Sequence, residues 1–227
     1  GYKRGKYNFT DILSINKMGW MVGLQMGLET ALFSITGIMI GWLGSIALAA
    51  HQVVVAISTL GFMIYYGVGA AVSVRVSNYF GRQDLLHVRR TTMAGFHLIL
   101  CLAVCACTVF LFSRELIGYL FTTSEEVIRV VSTLVYILLA YQFGDALQIT
   151  YANSLRGIGD VISMAVISFI GYFLIAMPVC YICGFVLEWG ITGIWIGYPI
   201  GLTLTGVMLC GRYYWKLKTK TQSKEFY

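Results

Sequence analysis

Two acidic residues, Glu29 and Asp145, lie within long apolar stretches, whereas the other eight Asp and Glu residues lie in predicted loops or tails. Gln25 precedes Glu29 by four residues. Tyr141 and Gln148 flank Asp145 at positions i−4 and i+3. On a helix these spacings place each acid and its polar neighbours on one face. Such a face can supply oxygen ligands to a hard cation, or it can hydrogen-bond a protonated acid.

The apolar surroundings of these two acids make their presence energetically costly. A charged side chain at the centre of a bilayer costs about 2.5–3.5 kcal/mol on insertion scales, so function is the first interpretation. A buried carboxylate must gain a cation or a proton, and either one changes the local charge by one unit. Such a site can bias a conformational equilibrium. The alternative is that Glu29 and Asp145 are structural, hydrogen-bonded to neighbouring helices and never titrating.

The composition favours a bilayer as the solvent for most of the chain. Of the 227 residues, 58% are hydrophobic and 11% are charged, against about 25% charged in soluble proteins. The apolar residues form six blocks, each near or above the roughly 20 residues that a helix needs to cross a membrane. We predict an all-α membrane protein, a six-transmembrane-helix bundle with spans at Met18–Leu43, Ile46–Val72, Met93–Phe112, Val127–Asn153, Val161–Val186 and Ile191–Trp215.

The basic residues predict how these spans are oriented. Fourteen of the sixteen Lys and Arg residues fall on one side of the six-span arrangement, and only Arg114 and Arg129 fall on the other. By the positive-inside rule the first side is cytoplasmic. We therefore predict a multi-pass protein of the inner (plasma) membrane with both ends of this segment in the cytoplasm.

The spans divide the chain into three segments. Residues 1–17 are predicted to be a cytoplasmic linker, residues 18–215 the transmembrane bundle, and residues 216–227 a basic cytoplasmic tail. The stretch Arg75–Arg90 is predicted to be a basic cytoplasmic loop. The net charge of +6 does not indicate a nucleic-acid partner, because the basic residues punctuate the apolar blocks and form no soluble patch. The predicted surroundings are a lipid bilayer.

Glu29 and Asp145 are then predicted to lie near mid-membrane. Glu29 is 12 residues from Lys17, and Asp145 is 11 residues before Arg156. At 1.5 Å per helical residue each acid lies roughly 16–18 Å from the cytoplasmic edge. We expect both carboxylates to reach one shared interior chamber. The histidines show no transition-metal spacing, and the cysteines lie in apolar blocks, so Na⁺ or H⁺ is the expected ligand.

Several short motifs occur in an order that resembles a known family. They are Leu43-Gly44-Ser45, Ala49-Ala50-His51-Gln52, Gly69-Ala70-Ala71-Val72-Ser73-Val74-Arg75-Val76 with Gly81, Asp145-Ala146-Leu147-Gln148, and Ser154-Leu155-Arg156-Gly157 with Asp160. With these stretches the sequence resembles, over nearly its whole length, the C-terminal half of multidrug and toxic compound extrusion (MATE) transporters, especially the NorM-like branch.

The resemblance implies a twelve-helix exporter with two six-helix lobes, of which this chain is the second. It implies secondary antiport of cationic amphipathic organic compounds against Na⁺ or H⁺, with no catalytic residues and no cofactor. The cation site of the family falls on Glu29, Tyr141 and Asp145, and Gln25 and Gln148 are possible supporting residues. The implied partner is an N-terminal six-helix lobe of the same parent protein, joined through a linker in residues 1–17, and the complete protein is expected to be monomeric.

Other functions make different demands on the sequence. A lipid-linked oligosaccharide flippase of similar architecture needs basic residues in its cavity to bind phosphate, and no Lys or Arg lies deep in a predicted span. An intramembrane enzyme needs a paired nucleophile and base or a motif such as H-E-x-x-H, and neither pattern occurs. A membrane scaffold without transport activity gives no reason for the two deep acids.

Overall fold

A computed structural model describes residues 9–225, without the side chains of residues 11, 221 and 223–225. Over this range the protein is helical, and six helices are long and apolar enough to cross a membrane. The six-helix bundle predicted from the sequence is confirmed. The helices are α1 (Phe9–Trp42), α2 (Ser45–Gly81), α3 (Leu85–Phe112), the short α4 (Arg114–Phe121), α5 (Glu125–Gly157), α6 (Val161–Val186) and α7 (Gly190–Glu225).

Several helices extend beyond the predicted spans, because hydropathy locates only the apolar part of each helix. Helix α1 begins at Phe9, inside the segment predicted to be a linker. The prediction of a loop at Arg75–Arg90 is wrong, because α2 continues to Gly81 and α3 begins at Leu85. Asp84 ends the short turn and accepts a 3.1 Å hydrogen bond from the backbone N–H of His87. This capping contact starts a helix where the charge pattern indicates a loop.

Helix α5 is the central helix of the bundle, and α2, α3 and α7 pack around it. Glycine permits the closest of these approaches. A Cβ atom on Gly144 of α5 would lie 2.8 Å from the Thr203 hydroxyl oxygen and 3.2 Å from the Thr203 backbone nitrogen on α7. Small residues at helix contacts let backbones approach closely in this way. The contact fixes the rotation of α5, and therefore the direction in which its polar face points.

One end of the bundle carries most of the basic residues, and we call it the basic end. Here α1 begins, α7 ends, and the α2–α3 and α5–α6 turns lie. An apolar cluster that includes Val76, Leu155 and Leu217 packs this end. Arg212 of α7 also forms an ion pair with Asp160 in the α5–α6 turn, with 2.7 Å between Nε and Oδ2. The basic end is therefore a packed assembly of the start of α1, the end of α7 and two turns.

Helix α6 is irregular along half of its length. It is π-helical at Ile170–Ala176 and again at Ile182–Val186, on either side of an α-helical turn that starts near Pro178. Proline has no N–H for the preceding turn, so the hydrogen-bond ladder must adjust near it. A π-helical turn changes the direction of the side chains that it carries, and such turns are frequent at functional sites. Tyr172 lies in the first of these segments and is fully buried.

Candidate cation-binding site

Glu29 lies half-buried in the middle of α1, where it borders a cavity of about 270 Å³ between α1, α2 and α5. Apolar and aromatic side chains form most of the cavity wall, and a few residues with hydroxyl groups lie among them. The wall includes Met26, Thr30, Phe33, Ser58, Phe62 and Tyr141. We call this cavity the chamber.

Asp145 lies behind the chamber wall and is fully buried in α5. Its neighbours on the same helical face border open space: Tyr141 lines the chamber, and Gln148 lines a narrower crevice beside it. The two carboxylates lie within electrostatic range of each other and of the Tyr141 hydroxyl. The structure therefore brings the predicted acids together, but only Glu29 of the pair borders the chamber directly.

Tyr172 of α6 connects the two acidic helices, and sequence reasoning missed it. Its hydroxyl donates a 3.3 Å hydrogen bond to the Glu29 carboxylate and accepts one from the side-chain amide of Gln148. A tyrosine in an apolar span carries no charge signal, and its direction depends on the π-helical segment. The one available signal was Pro178, six residues later, which indicates an irregular helix but not which side chain it redirects.

Gln25 lies one helical turn from Glu29, nearer the basic end, and contacts two charged groups. Its amide nitrogen donates a long 3.4 Å hydrogen bond to the Glu29 carboxylate. Its amide oxygen accepts a 3.4 Å hydrogen bond from the guanidinium of Arg156. Arg156 also donates to the Tyr66 hydroxyl over 3.3 Å.

The Arg156 side chain does not lie at the cytoplasmic edge, where the sequence placed this residue. The sequence assigned Arg156 to the cytoplasmic edge, and its backbone does lie at the end of α5. Its side chain, however, turns inward and lines the crevice together with Glu29 and Gln148. Long basic side chains can place their charge several ångströms from their backbone position. Residue counting along a helix therefore could not locate this guanidinium.

The polar groups around Asp145 are rich in oxygen and incompletely hydrogen-bonded. Among the described residues, neither Asp145 oxygen has a hydrogen-bond partner, and the same holds for the Tyr65 hydroxyl, both side-chain amide atoms of Gln142, and the amide oxygen of Gln148. A buried polar group without a partner costs about 1–3 kcal/mol. Carboxylate, hydroxyl and amide oxygens are the ligands that hard cations prefer, and they also accept a proton or its hydrogen bonds. The donor set therefore fits Na⁺ or H⁺.

Comparison with known proteins decides the family. The MatE family model matches residues 22–182. The chain belongs to the MatE family. It is 34% identical over 220 residues to Multidrug resistance protein NorM of Photobacterium profundum. The aligned residues cover 95% of this chain and 47% of that protein. It is 31% identical to Multidrug resistance protein MdtK of Proteus mirabilis, with 91% and 46% covered. The resemblance noted in the sequence motifs is confirmed.

Solved MATE structures share this fold. A Vibrio cholerae MATE transporter, VcmN in its bent form, superposes with a TM-score of 0.87 at 15% identity, covering 98% of this chain and 50% of that chain. The eukaryotic MATE transporter AtDTX14 superposes with a TM-score of 0.84 at 20% identity, covering 96% and 51%. The chain thus spans about half the length of the relatives it matches and corresponds to one six-helix lobe of a MATE transporter.

Proposed function

We propose that this lobe forms half of a secondary transporter that exports cationic amphipathic organic compounds in exchange for Na⁺ or H⁺. The observation that carries the proposal is the pairing of Glu29 with the fully buried Asp145 beside an apolar chamber. The NorM and MdtK relatives are named multidrug resistance proteins, which supports the proposed class of exported compound.

The proposed coupling follows from the charges of the two acids. Two carboxylates within electrostatic range of each other in an apolar environment are costly to ionise together, so the pair favours binding one cation or one proton. Arrival of Na⁺ or H⁺ on one side of the membrane and its release on the other would change the net charge of the site by one unit. This charge change would bias the two lobes between their outward-facing and inward-facing arrangements, as in transporters built from repeats.

The side-chain atoms that would bind the cation bear on whether it is Na⁺ or H⁺. Glu29, Asp145 and the Tyr141 hydroxyl supply oxygen atoms only, which suits Na⁺ as well as a proton. We favour Na⁺ because this set of three residues matches the NorM-like branch. Gln25 and Gln148 would support the site through hydrogen bonds, as would Tyr172, which contacts Glu29 directly.

The basic residues and the length of the chain support a proposed orientation and a proposed partner for the lobe. We propose that it lies in the plasma membrane with its basic end in the cytoplasm, on the basis of the fourteen-to-two division of basic residues. Its partner would be an N-terminal six-helix lobe of the same parent protein, and the complete transporter would act as a monomer without a cofactor or a catalytic step.

The flippase alternative has less support. Its cavity would need cationic side chains to bind phosphate. The described lining of the chamber contains Glu29 and no Lys or Arg. Arg156 lines only the adjoining crevice, and its guanidinium is hydrogen-bonded to Gln25 and Tyr66.

The proposed function predicts that Asp145→Asn abolishes cation-driven export. The complete two-lobe transporter is reconstituted in vesicles loaded with an organic cation such as ethidium, and dye movement is followed under an imposed Na⁺ or pH gradient. The asparagine variant keeps the volume of the side chain but no longer changes charge, so coupled transport should fall to the background rate. Glu126→Gln is the matched control, because Glu126 is an exposed acid on the same helix. Full transport by Asp145→Asn would remove this residue from the mechanism.

A further inference from the structure

We propose that Arg156 is a latch that closes the chamber at the basic end, and that the Gln25 amide ties this latch to the charge of Glu29. The inference rests on the proposed function for its direction of transport, but the latch itself follows from contacts in this lobe. It assigns a gating role to Arg156, Gln25 and Tyr66.

The contacts of Arg156 tie three helices together. From the end of α5, its guanidinium donates to the Gln25 amide oxygen on α1 over 3.4 Å and to the Tyr66 hydroxyl on α2 over 3.3 Å. A third bond, also 3.3 Å, goes to the Asn153 side-chain oxygen and orients the guanidinium from its own helix. These three helices supply the walls of the chamber. A planar group with several donors suits such a junction, because one side chain can hold several acceptors at once.

The space at this junction is narrow. The crevice lined by Glu29, Gln25, Tyr66 and Arg156 has a volume of about 20 Å³, which is room for about one water molecule. The chamber on the other side of Glu29 is about 270 Å³. The space beside Glu29 is therefore narrow on the side where Arg156 lines it.

The orientation of Gln25 makes the latch sensitive to Glu29. The amide oxygen can only accept, so it faces the guanidinium, and the amide nitrogen can only donate, so it faces the Glu29 carboxylate. The guanidinium, the amide and the carboxylate thus form a chain in which each donor meets an acceptor. An ionised Glu29 holds the amide in this orientation, and the amide in turn holds Arg156.

A cation or a proton at Glu29 would weaken this chain in two ways. A neutralised carboxylate is a poorer acceptor for the Gln25 amide, since charge-assisted hydrogen bonds are roughly twice as strong as neutral ones. The added positive charge also repels the guanidinium. Both effects loosen the latch when the cation is bound. An opening at the basic end would then release the cation on that side, as antiport requires.

The test measures access to the chamber from the basic end and needs no exported compound. The complete transporter carries Ser58→Cys in the chamber wall, and its native cysteines, including the six of this lobe, are replaced by Ala or Ser. A membrane-impermeant maleimide is applied to the basic end at constant pH, with choline or Na⁺ as the cation. Wild type should react slowly in choline and faster in Na⁺. Arg156→Gln should react about tenfold faster in choline, the change that about 1.4 kcal/mol of lost stabilisation gives, and should respond little to Na⁺.

Further variants separate a latch from a general loss of structure. Arg156→Lys should restore part of the closure, because a lysine can still donate to Gln25. Glu29→Gln, which fixes that side chain in a neutral form, should label fast in either cation, as should Gln25→Leu. If Arg156→Gln does not fold, Tyr66→Phe removes a single hydroxyl and should raise the labelling rate by a smaller factor. Arg82→Gln, an exposed basic residue at the same end, is the matched control and should label as wild type does.

The outcomes are distinct. Labelling of Arg156→Gln at the wild-type rate would overturn the latch. Fast labelling of Arg156→Gln together with slow labelling of Glu29→Gln would overturn the coupling through Gln25. If the proposed export function fails while the labelling pattern holds, vesicles would show no dye movement although access to Ser58→Cys still depends on Arg156.

Discussion

Within this lobe, Glu29 and Asp145 occupy unequal positions although their sequence contexts are alike. Glu29 is half-buried, accepts hydrogen bonds from Gln25 and Tyr172, and borders the chamber. Asp145 is fully buried, and its two oxygens have no hydrogen-bond partner among the described residues. Glu29 is thus the accessible acid and Asp145 the enclosed one. We infer that a cation would reach Glu29 first and be shared with Asp145.

Tyr172 gives a prediction at the scale of one hydroxyl group. Tyr172→Phe removes the donor to Glu29 and leaves the Gln148 amide without its acceptor, a loss of about 1–2 kcal/mol. If part of this contribution orients Glu29 for the cation, the Na⁺ concentration needed for half-maximal thermal stabilisation should rise several-fold. Na⁺ titration of the melting temperature of the purified complete transporter measures this.

Tyr213→Phe is the control for Tyr172→Phe. Tyr213 is also fully buried, and its hydroxyl is 2.8 Å from that of Thr92, remote from the acids at the basic end. This variant should lower the melting temperature without changing the dependence on Na⁺. An unchanged Na⁺ dependence in Tyr172→Phe would contradict a role for Tyr172 in the site.

At the scale of elements, the α5–α6 turn is fastened to α7 by Asp160 and Arg212. Partial burial opposes ionisation of Asp160, but hydrogen bonds from Arg212 and Ser163 and the charge of Lys216 outweigh it, so the pKa of Asp160 is lowered. A carboxyl whose pKa is lower in the folded state stabilises the fold above its unfolded pKa, and this contribution disappears as the pH falls through the folded value. The turn is therefore held by an ionised Asp160 at neutral pH.

This pair gives a pH-dependent prediction. Asp160→Asn should lower the free energy of unfolding by about 1–3 kcal/mol at neutral pH, because a hydrogen bond to a charged group is lost. The difference between wild type and variant should shrink as the pH falls below the ordinary pKa of an aspartate. Thermal melting over a range of pH measures it. A difference that stays constant down to strongly acidic pH would show that ionisation of Asp160 does not stabilise the turn.

The sequence predicted the elements better than it predicted their details. The six spans follow from hydropathy. The expectation that both acids reach one shared chamber is met by Glu29, whereas Asp145 lies behind the chamber wall. The missed features depend on side-chain direction. Tyr172 reaches Glu29 because of a π-helical segment, and Arg156 turns back into the bundle from the end of α5. Neither direction follows from apolar periodicity, because both depend on contacts between helices that are distant in the sequence.

At the scale of the whole molecule, the lobe leaves large apolar surfaces uncovered. Trp20, Leu60 and Val207 are among many large apolar side chains that are mostly exposed. A bilayer would cover most of these faces. On α1, Met26 and Thr30 border the chamber and are exposed in this lobe. We propose that the N-terminal lobe covers this face, so that the chamber becomes part of a central cavity between two lobes.

Cation-dependent stability shows whether Glu29 and Asp145 together bind the coupling cation. A ligand present at 100 times its Kd stabilises a folded protein by about 2.7 kcal/mol. The melting temperature of the purified complete transporter is compared in Na⁺ and in choline, at equal ionic strength and at two pH values. Glu29→Gln and Asp145→Asn are the test variants, and Glu126→Gln is the control.

We predict that Na⁺, or the lower pH if the cation is H⁺, raises the melting temperature of wild type and of Glu126→Gln by several degrees. The same change should have little effect on Glu29→Gln or Asp145→Asn. An increase of equal size in wild type and in both test variants would contradict a cation site at these two acids.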